Sequence, residues 1–236
     1  MPSSDTAQEK DALVFFAHEL KGPASTVLAG LSRLRRSLTE AHPDETEVLE
    51  IIEEAARSIV EKIDQLTSLC LDPEAFTPEP VLLQHVLPVF VSRALANRAA
   101  RPVEIEIAPD LVMAAGNAFF IETIIANLVK NADKYSPPAA PIELKAWADG
   151  DTILISVRDH GKGVPCEDLE TIFDLFYRSP KDSSSAGGRG IGLYLCRRLV
   201  TLMGGRVWAE LPAGPGLVVT FSLLVYVVPT APTSLQ

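Results

Sequence analysis

The chain is short of positive charge: among its 236 residues 21 Lys and Arg stand against 31 Asp and Glu, a formal net charge of −10. Nucleic-acid backbones and anionic lipids are held by an excess of basic side chains, so neither is expected as a partner. Cysteine is scarce as well. Cys70, Cys166 and Cys196 are odd in number, scattered and without CxxC spacing, which argues against a disulfide framework or a zinc site and fits a reducing compartment. Long hydrophobic runs are missing, since the most apolar stretch, Leu217 to Val228, falls well short of the ~20 residues that span a bilayer. The polar start, Met1-Pro2-Ser3-Ser4-Asp5, does not read as a secretory signal. A cytoplasmic protein with no direct membrane insertion is expected. What is present, 47% hydrophobic and 22% charged residues, is the composition of a chain that buries a core. Any phosphate ligand would have to be held by helix N-termini, a metal ion and a few local cations.

The chain divides by pattern. Leu13, Ala17, Leu20, Ala24, Val27, Leu31, Leu34 and Leu38 alternate spacings of four and three, a heptad seam along one helix. After the break at Glu40 to Asp44, a second stripe runs through Val48, Ile52, Ala55, Ile59, Ile63, Leu66 and Cys70. Two such helices make an antiparallel hairpin over residues 1–71. One hairpin cannot cover both stripes, so two copies are expected to pair as a homodimeric four-helix bundle. Residues 72–80, with Pro73, Pro78 and Pro80, read as a linker.

Residues 81–229 alternate between helical and strand patterns, followed by a short tail at 230–236. Leu82 to Ala100 predicts a helix despite Pro88, Val103 to Ile107 a strand, and Asn117 to Lys134 a helix. Pro141 to Trp147 and Thr152 to Arg158 predict a hairpin around Asp149-Gly150. Ile191 to Met203 predicts a helix, and Arg206 to Leu211 and Leu217 to Val228 predict strands. Helices against a mixed or antiparallel sheet describe an α+β sandwich.

Chemistry-bearing residues fall in five places. His18 follows seam residue Ala17, so it sits beside the apolar stripe, where a neutral imidazole is a competent nucleophile. Glu19 could orient its ring or take its proton. Gly22 and Pro23 weaken the same helix one turn later, by about 1 and 3 kcal/mol. Asn127, Asn131 and Lys134 project from one helical face, where carboxamide oxygens can ligate Mg²⁺ and an ammonium can meet phosphate; Tyr135 adds a ring. Asp159-His160-Gly161-Lys162-Gly163 offers a carboxylate that can accept an exocyclic amine, with Gly161 and Gly163 letting backbone approach a ligand. Phe173 and Phe176 flank a short motif that ends at Tyr177-Arg178, with Arg178 available to phosphate. Ser183 to Gly192, containing Gly188, Gly190 and Gly192, opens into a helix and reads as a flexible lid over an anion site. The GK[ST] ending of a P-loop is absent. Taken singly these are also the patterns of a surface histidine, a polar helix face, a tight turn and a core patch; their order and spacing carry the argument.

Together they resemble the histidine kinases of two-component systems. Phe16-Ala17-His18-Glu19-Leu20-Lys21-Gly22-Pro23 is similar to the H-box, Asn127 to Ser136 to the N-box, and Asp159 to Gly163 to the first glycine box. Phe173 to Arg178 resembles the F-box and Gly188 to Gly192 the second glycine box. The resemblance spans roughly Asp11 to Val228. It implies a dimerisation and phosphotransfer hairpin followed by a gyrase-like (GHKL) ATP-binding sandwich. It further implies phosphorylation of His18 assisted by Glu19, Mg²⁺ at Asn131 supported by Asn127, and Lys134 near phosphate. Tyr135 would lie beside the adenine and Asp159 would read its amine. The glycines 188, 190 and 192 would shape the phosphate approach. The phosphoryl group would then pass to an aspartate of a response regulator receiver domain. A GHKL ATPase or serine kinase is a rival reading, disfavoured by the H-box on a heptad hairpin. A dimerising scaffold without turnover is another, disfavoured by Asn131, Asp159 and the intact glycine boxes.

Many such kinases carry Thr or Asn where this chain has Gly22, a polar side chain associated with removing phosphate from the regulator. Glycine cannot position a water with a side chain. Dephosphorylation of the regulator is therefore expected to be weak or absent when ADP is added to purified phospho-regulator and this protein; strong ADP-stimulated phosphate release would contradict it.

Overall fold

In the computed structural model, residues 76–96, 101–177 and 190–227 are described, together with positions 24, 26–32, 34, 52 and 56. The chain separates into two compact units, Met1–Asp72 and Pro73–Gln236. In the first, the described positions are helical, and Val27, Leu34 and Ile52 stand exposed while Ala56 is buried. His18, Glu19, Gly22 and Pro23 lie outside the described residues, as does the predicted turn between the two stripes.

Among its described residues, the second unit is a seven-stranded sheet with three helices. In chain order these are β1 (Glu79–Val81), α1 (Leu83–Ala94), β2 (Val103–Ile107), β3 (Ala114–Gly116), α2 (Ala118–Tyr135), β4 (Ile142–Asp149), β5 (Thr152–Arg158), α3 (Gly192–Leu202), β6 (Val207–Glu210) and β7 (Val218–Val225). Short 3-10 turns occupy Cys166–Asp168 and Thr171–Phe173. The strand order is β1-β3-β7-β5-β4-β2, with β6 also paired to β7. β7 is the spine: Val218 to Leu224 pair with β5 on one edge, while its other edge is shared between β6, over Val218 to Phe221, and β3, at Leu224 and Val225. Among the described residues only the β2–β4 pair is parallel, so the sheet is mixed.

Glu79 and Pro80, which the proline spacing assigns to the linker, are the first residues of β1. That strand pairs on one side only, with β3, and an edge strand tolerates the missing proline N–H. The helix predicted to reach Ala100 ends at Ala94, and Pro88 lies inside it. The β4–β5 hairpin is closed by Gly150-Asp151, because Asp149 pairs with Thr152.

One face of the sheet carries the core. Ile142, Leu144 and Ala146 of β4 and Ile153, Ile155 and Val157 of β5 are buried beneath the helices. α2 meets them through Ile121, Ile124, Ile125, Leu128, Val129 and Ala132, a stripe at helical spacing that is buried throughout. Asn117 caps its start, its side chain accepting a hydrogen bond from the Phe120 N–H at 3.1 Å. Its end is set by Ser136-Pro137: a residue before proline is driven out of the helical region, and Ser136 is extended at φ −80°, ψ 151°. No helix among the described residues is long and apolar enough to cross a membrane.

The carbonyls left open at the end of α2 are collected by one distant side chain. Arg101 donates to Ala132 O (3.3 Å), Asp133 O (2.9 Å), Ser136 O (3.1 Å) and Pro137 O (2.5 Å), and pairs with the Asp133 carboxylate at 3.2 Å. Its side chain is 5% exposed. Arg101→Ala would leave that carboxylate and several carbonyls without their partner, so unfolding in urea should show a loss of about 3 kcal/mol; a loss under about 1 kcal/mol would mean that water replaces the guanidinium.

Candidate functional site

Two of the predicted residues of α2 meet glycines from elsewhere in the chain, Asn127 at the start of α3 and the Tyr135 backbone at the loop that leaves β5. Asn127 spends its amide locally, donating to Thr123 O at 2.9 Å. Its Oδ1 lies where a side chain at position 192 would begin, 2.8 Å from an ideal Cβ on Gly192. A larger residue at 192 would displace the Asn127 carboxamide from this position. Gly192 is also the first residue of α3, which has no side-chain cap; the N–H groups of its first turn are therefore open to an anion. Asn131, one turn beyond Asn127, is half-buried and its carboxamide is used by no hydrogen bond among the described residues.

The end of α2 carries an exposed cation and ring. The Lys134 ammonium sits 4.6 Å from the centre of the Tyr135 ring and donates to the Tyr135 hydroxyl at 3.1 Å. Immediately behind them passes the loop that leaves β5. A Cβ on Gly161 would lie 2.4 Å from the Tyr135 carbonyl oxygen, so glycine is required here too. This contact places Asp159 beside the last turn of α2.

Asp159 is half-buried. Its N–H donates to Leu217 O at 2.9 Å and its Oδ1 accepts from the Gly161 N–H at 2.8 Å, a local turn that holds the carboxylate in place. Burial pushes its carboxyl up from the ordinary value; backbone hydrogen bonds from Gly161 and Leu217, and the charges of His160 and Arg158, pull the other way. Gly163 turns the chain against Gly216.

The two phenylalanines divide. Phe173 is buried beneath the Arg197 guanidinium, 5.4 Å away. Phe176 is 65% exposed and its backbone is left-handed at φ +65°, a strained conformation for a bulky residue. The Phe176 N–H donates to Gly190 O at 2.9 Å, and the Tyr177 hydroxyl donates to Asp168 Oδ2 at 2.6 Å. Arg178, Gly188 and the serine run lie outside the described residues.

Of the sequence-derived set, the structure brings together Asn127 with Gly192, Tyr135 with Gly161 and Asp159, and Gly190 with the Phe176 turn. Sequence reasoning missed Arg101 and Ser136. Ser136-Pro137 was a usable helix-stop signal. Nothing local marks Arg101, whose partners lie more than thirty residues away. Among the described residues no group of three or more His, Cys, Asp or Glu side chains could hold a metal ion. The free carboxamide of Asn131 fits a hard cation that keeps water and phosphate ligands, as Mg²⁺ does.

Residues 116–226 match the family described as histidine kinase-, DNA gyrase B- and HSP90-like ATPase. The adaptive-response sensory kinase SasA of Synechococcus elongatus is 28% identical over 233 residues, covering 92% of this chain and 59% of SasA; the chain thus spans little more than half of that relative. The mycobacterial sensor histidine kinase MprB superposes with a TM-score of 0.57 at 25% identity, over 62% of this chain and 97% of that one. Full-length ShkA in complex with AMPPNP gives 0.69 at 22% identity, over 93% of this chain and 47% of that one, a likeness of fold.

A half-buried carboxyl with a raised pKa binds its proton more tightly in the folded state. Its favourable share of stability is present below the ordinary carboxyl pKa and is lost as pH rises through the folded value. Ligand-free Asp159→Asn should therefore melt at or above the wild-type temperature at neutral pH, the difference shrinking toward acid pH in thermal scans. A variant that melts lower at pH 7 would show that the charge is stabilising.

Proposed function

The chain is a relative of the sensor histidine kinases of two-component systems, with residues 116–226 forming a GHKL-type ATPase domain, and from this premise we propose that it binds ATP with Mg²⁺ and phosphorylates His18. The observation that carries the proposal is the double close approach of Gly192 to Asn127 and Gly161 to Tyr135. It brings a glycine of each box against the N-box helix, Gly192 at Asn127 and Gly161 at the Tyr135 carbonyl, which supports a nucleotide site along that helix.

In this reading Asp159 accepts the exocyclic amine of adenine and Tyr135 lies along the ring. Lys134, Arg178 and the α3 N-terminus, with Gly188, Gly190 and Gly192 at its approach, meet the phosphates. Asn131 would hold Mg²⁺ with Asn127 behind it; the ion, when bound, supplies charge neutralisation on the triphosphate. The His18 imidazole attacks the γ-phosphorus in line. The new N–P bond forms as the bond to the β,γ-bridging oxygen breaks, ADP leaves, and Glu19 takes the ring proton. Little covalent work falls to the protein, so positioning dominates. The phosphoryl group passes next to an aspartate of a response regulator.

The helical hairpin, the homodimer and the four-helix bundle belong to the same proposal. Their support is the heptad stripe, of which Val27 and Leu34 stand exposed in the single chain together with Ile52 of the second stripe. Covering them takes a second copy.

Incubation with Mg²⁺ and γ-labelled ATP tests the assignment. Wild type should acquire an acid-labile, alkali-stable label, absent from both His18→Ala and Asn131→Ala, while His18→Ala still binds nucleotide. Label that persists in His18→Ala would move the acceptor elsewhere. ATP hydrolysis without any labelled protein would favour the ATPase reading.

A further inference from the structure

His160, the residue between Asp159 and Gly161, is used by nothing in the mechanism above, yet it is bound on two sides. Its backbone N–H donates to Ser136 Oγ at 2.9 Å, tying the loop to the residue that ends α2. Its ring Nε2 lies 2.7 Å from Glu143 Oε1 on β4. A carboxylate oxygen accepts, so Nε2 carries the proton and donates. Glu143 is held in turn by Arg158, whose Nη1 is 3.6 Å from the same oxygen and which sits directly across from it in the β4–β5 register. Both the His160 and Glu143 side chains are about four-fifths covered, at 22% and 18% exposed.

The arrangement bears on Asp159 through the backbone. The peptide joining Asp159 to His160 is fixed at its N–H by α2 and, one Cβ further on, at β4. Among the described residues the Asp159 carboxylate accepts one hydrogen bond, from the Gly161 N–H, which sets its direction. That bond forms only while residues 159–161 hold their turn. We propose that His160 is a positioning residue for the nucleotide base: the His160–Glu143 hydrogen bond pins the turn that aims Asp159, and so sets affinity for the adenine ring without touching it. The inference rests on the reading of Asp159 as the adenine acceptor.

Three readouts on the full chain test it. The first is ligand-free hydrogen exchange at the Gly161 amide, which needs no nucleotide. It should quicken about fivefold to tenfold in His160→Ala, the scale of one lost hydrogen bond. The second is binding of the analogue AMPPNP, expected to weaken by a similar factor. The third is autophosphorylation, in which the half-saturating ATP concentration should rise while the rate at saturating ATP holds. His160→Gln, whose amide nitrogen reaches about as far as Nε2, should restore all three. Glu143→Ala should match His160→Ala, and the double variant should be no worse than either single one. Unchanged exchange and affinity in His160→Ala, or losses that Gln does not restore, overturn the proposal. If His160→Ala fails to fold, the Gln and Glu143→Ala variants decide. Failure of wild type to bind AMPPNP overturns the nucleotide reading, whereas normal binding with faster Gly161 exchange and unaltered affinity overturns only the link from His160 to the base.

Discussion

The end of α2 is the constraint on which the described domain depends. A helix that stops leaves carbonyls open, and here it stops at a serine followed by proline, in the interior edge of a two-layer fold. Three of those carbonyls are partly withdrawn from water. One buried guanidinium, Arg101, gathers four carbonyls and a carboxylate instead, and the serine hydroxyl receives the loop that leaves β5. With the helix end fixed, the Tyr135 carbonyl becomes a wall against which only a glycine can run. Two elements separated in sequence by the β4–β5 hairpin thereby share one corner.

Much of the second unit was legible because its signals are local. The apolar stripe of α2, the alternation of β4 and β5, and the turn glycine between them are repeated patterns that backbone geometry forces. β1 and β3 were missed for the opposite reason: each has three residues, too few to show a period, and β1 contains a proline that reads as linker. The candidate residues on α2 and in the glycine boxes could be named from spacing. Arg101 and the Glu143 partner of His160 could not, because their contacts join positions whose separation no sequence window spans. Phe173 and Phe176, three apart, read as an equivalent pair, yet one is core and the other exposed; the left-handed turn at Phe176 swings it outward, and only backbone angles reveal that.

The same site shows a tension between holding together and binding. Asp159 is kept partly out of water, where its charge is less favourable than in solvent, and the surrounding amides offset only part of that. Asn131 presents an amide that no hydrogen bond among the described residues uses. The exposed Tyr135 ring and the uncapped α3 terminus are of the same kind. A fold selected for stability alone would close each of these, which is why they are the candidates for binding.

The hydrogen bond from Phe176 N–H to Gly190 O ties the left-handed turn at Phe176 to the residue two positions before α3. Both partners are backbone groups, so the tie does not depend on which side chain Phe176 carries. Gly190 has no such latitude, because a Cβ there would run into the Phe176 and Tyr177 backbone. Of the two residues, the small one is therefore the one that substitution can least afford to touch.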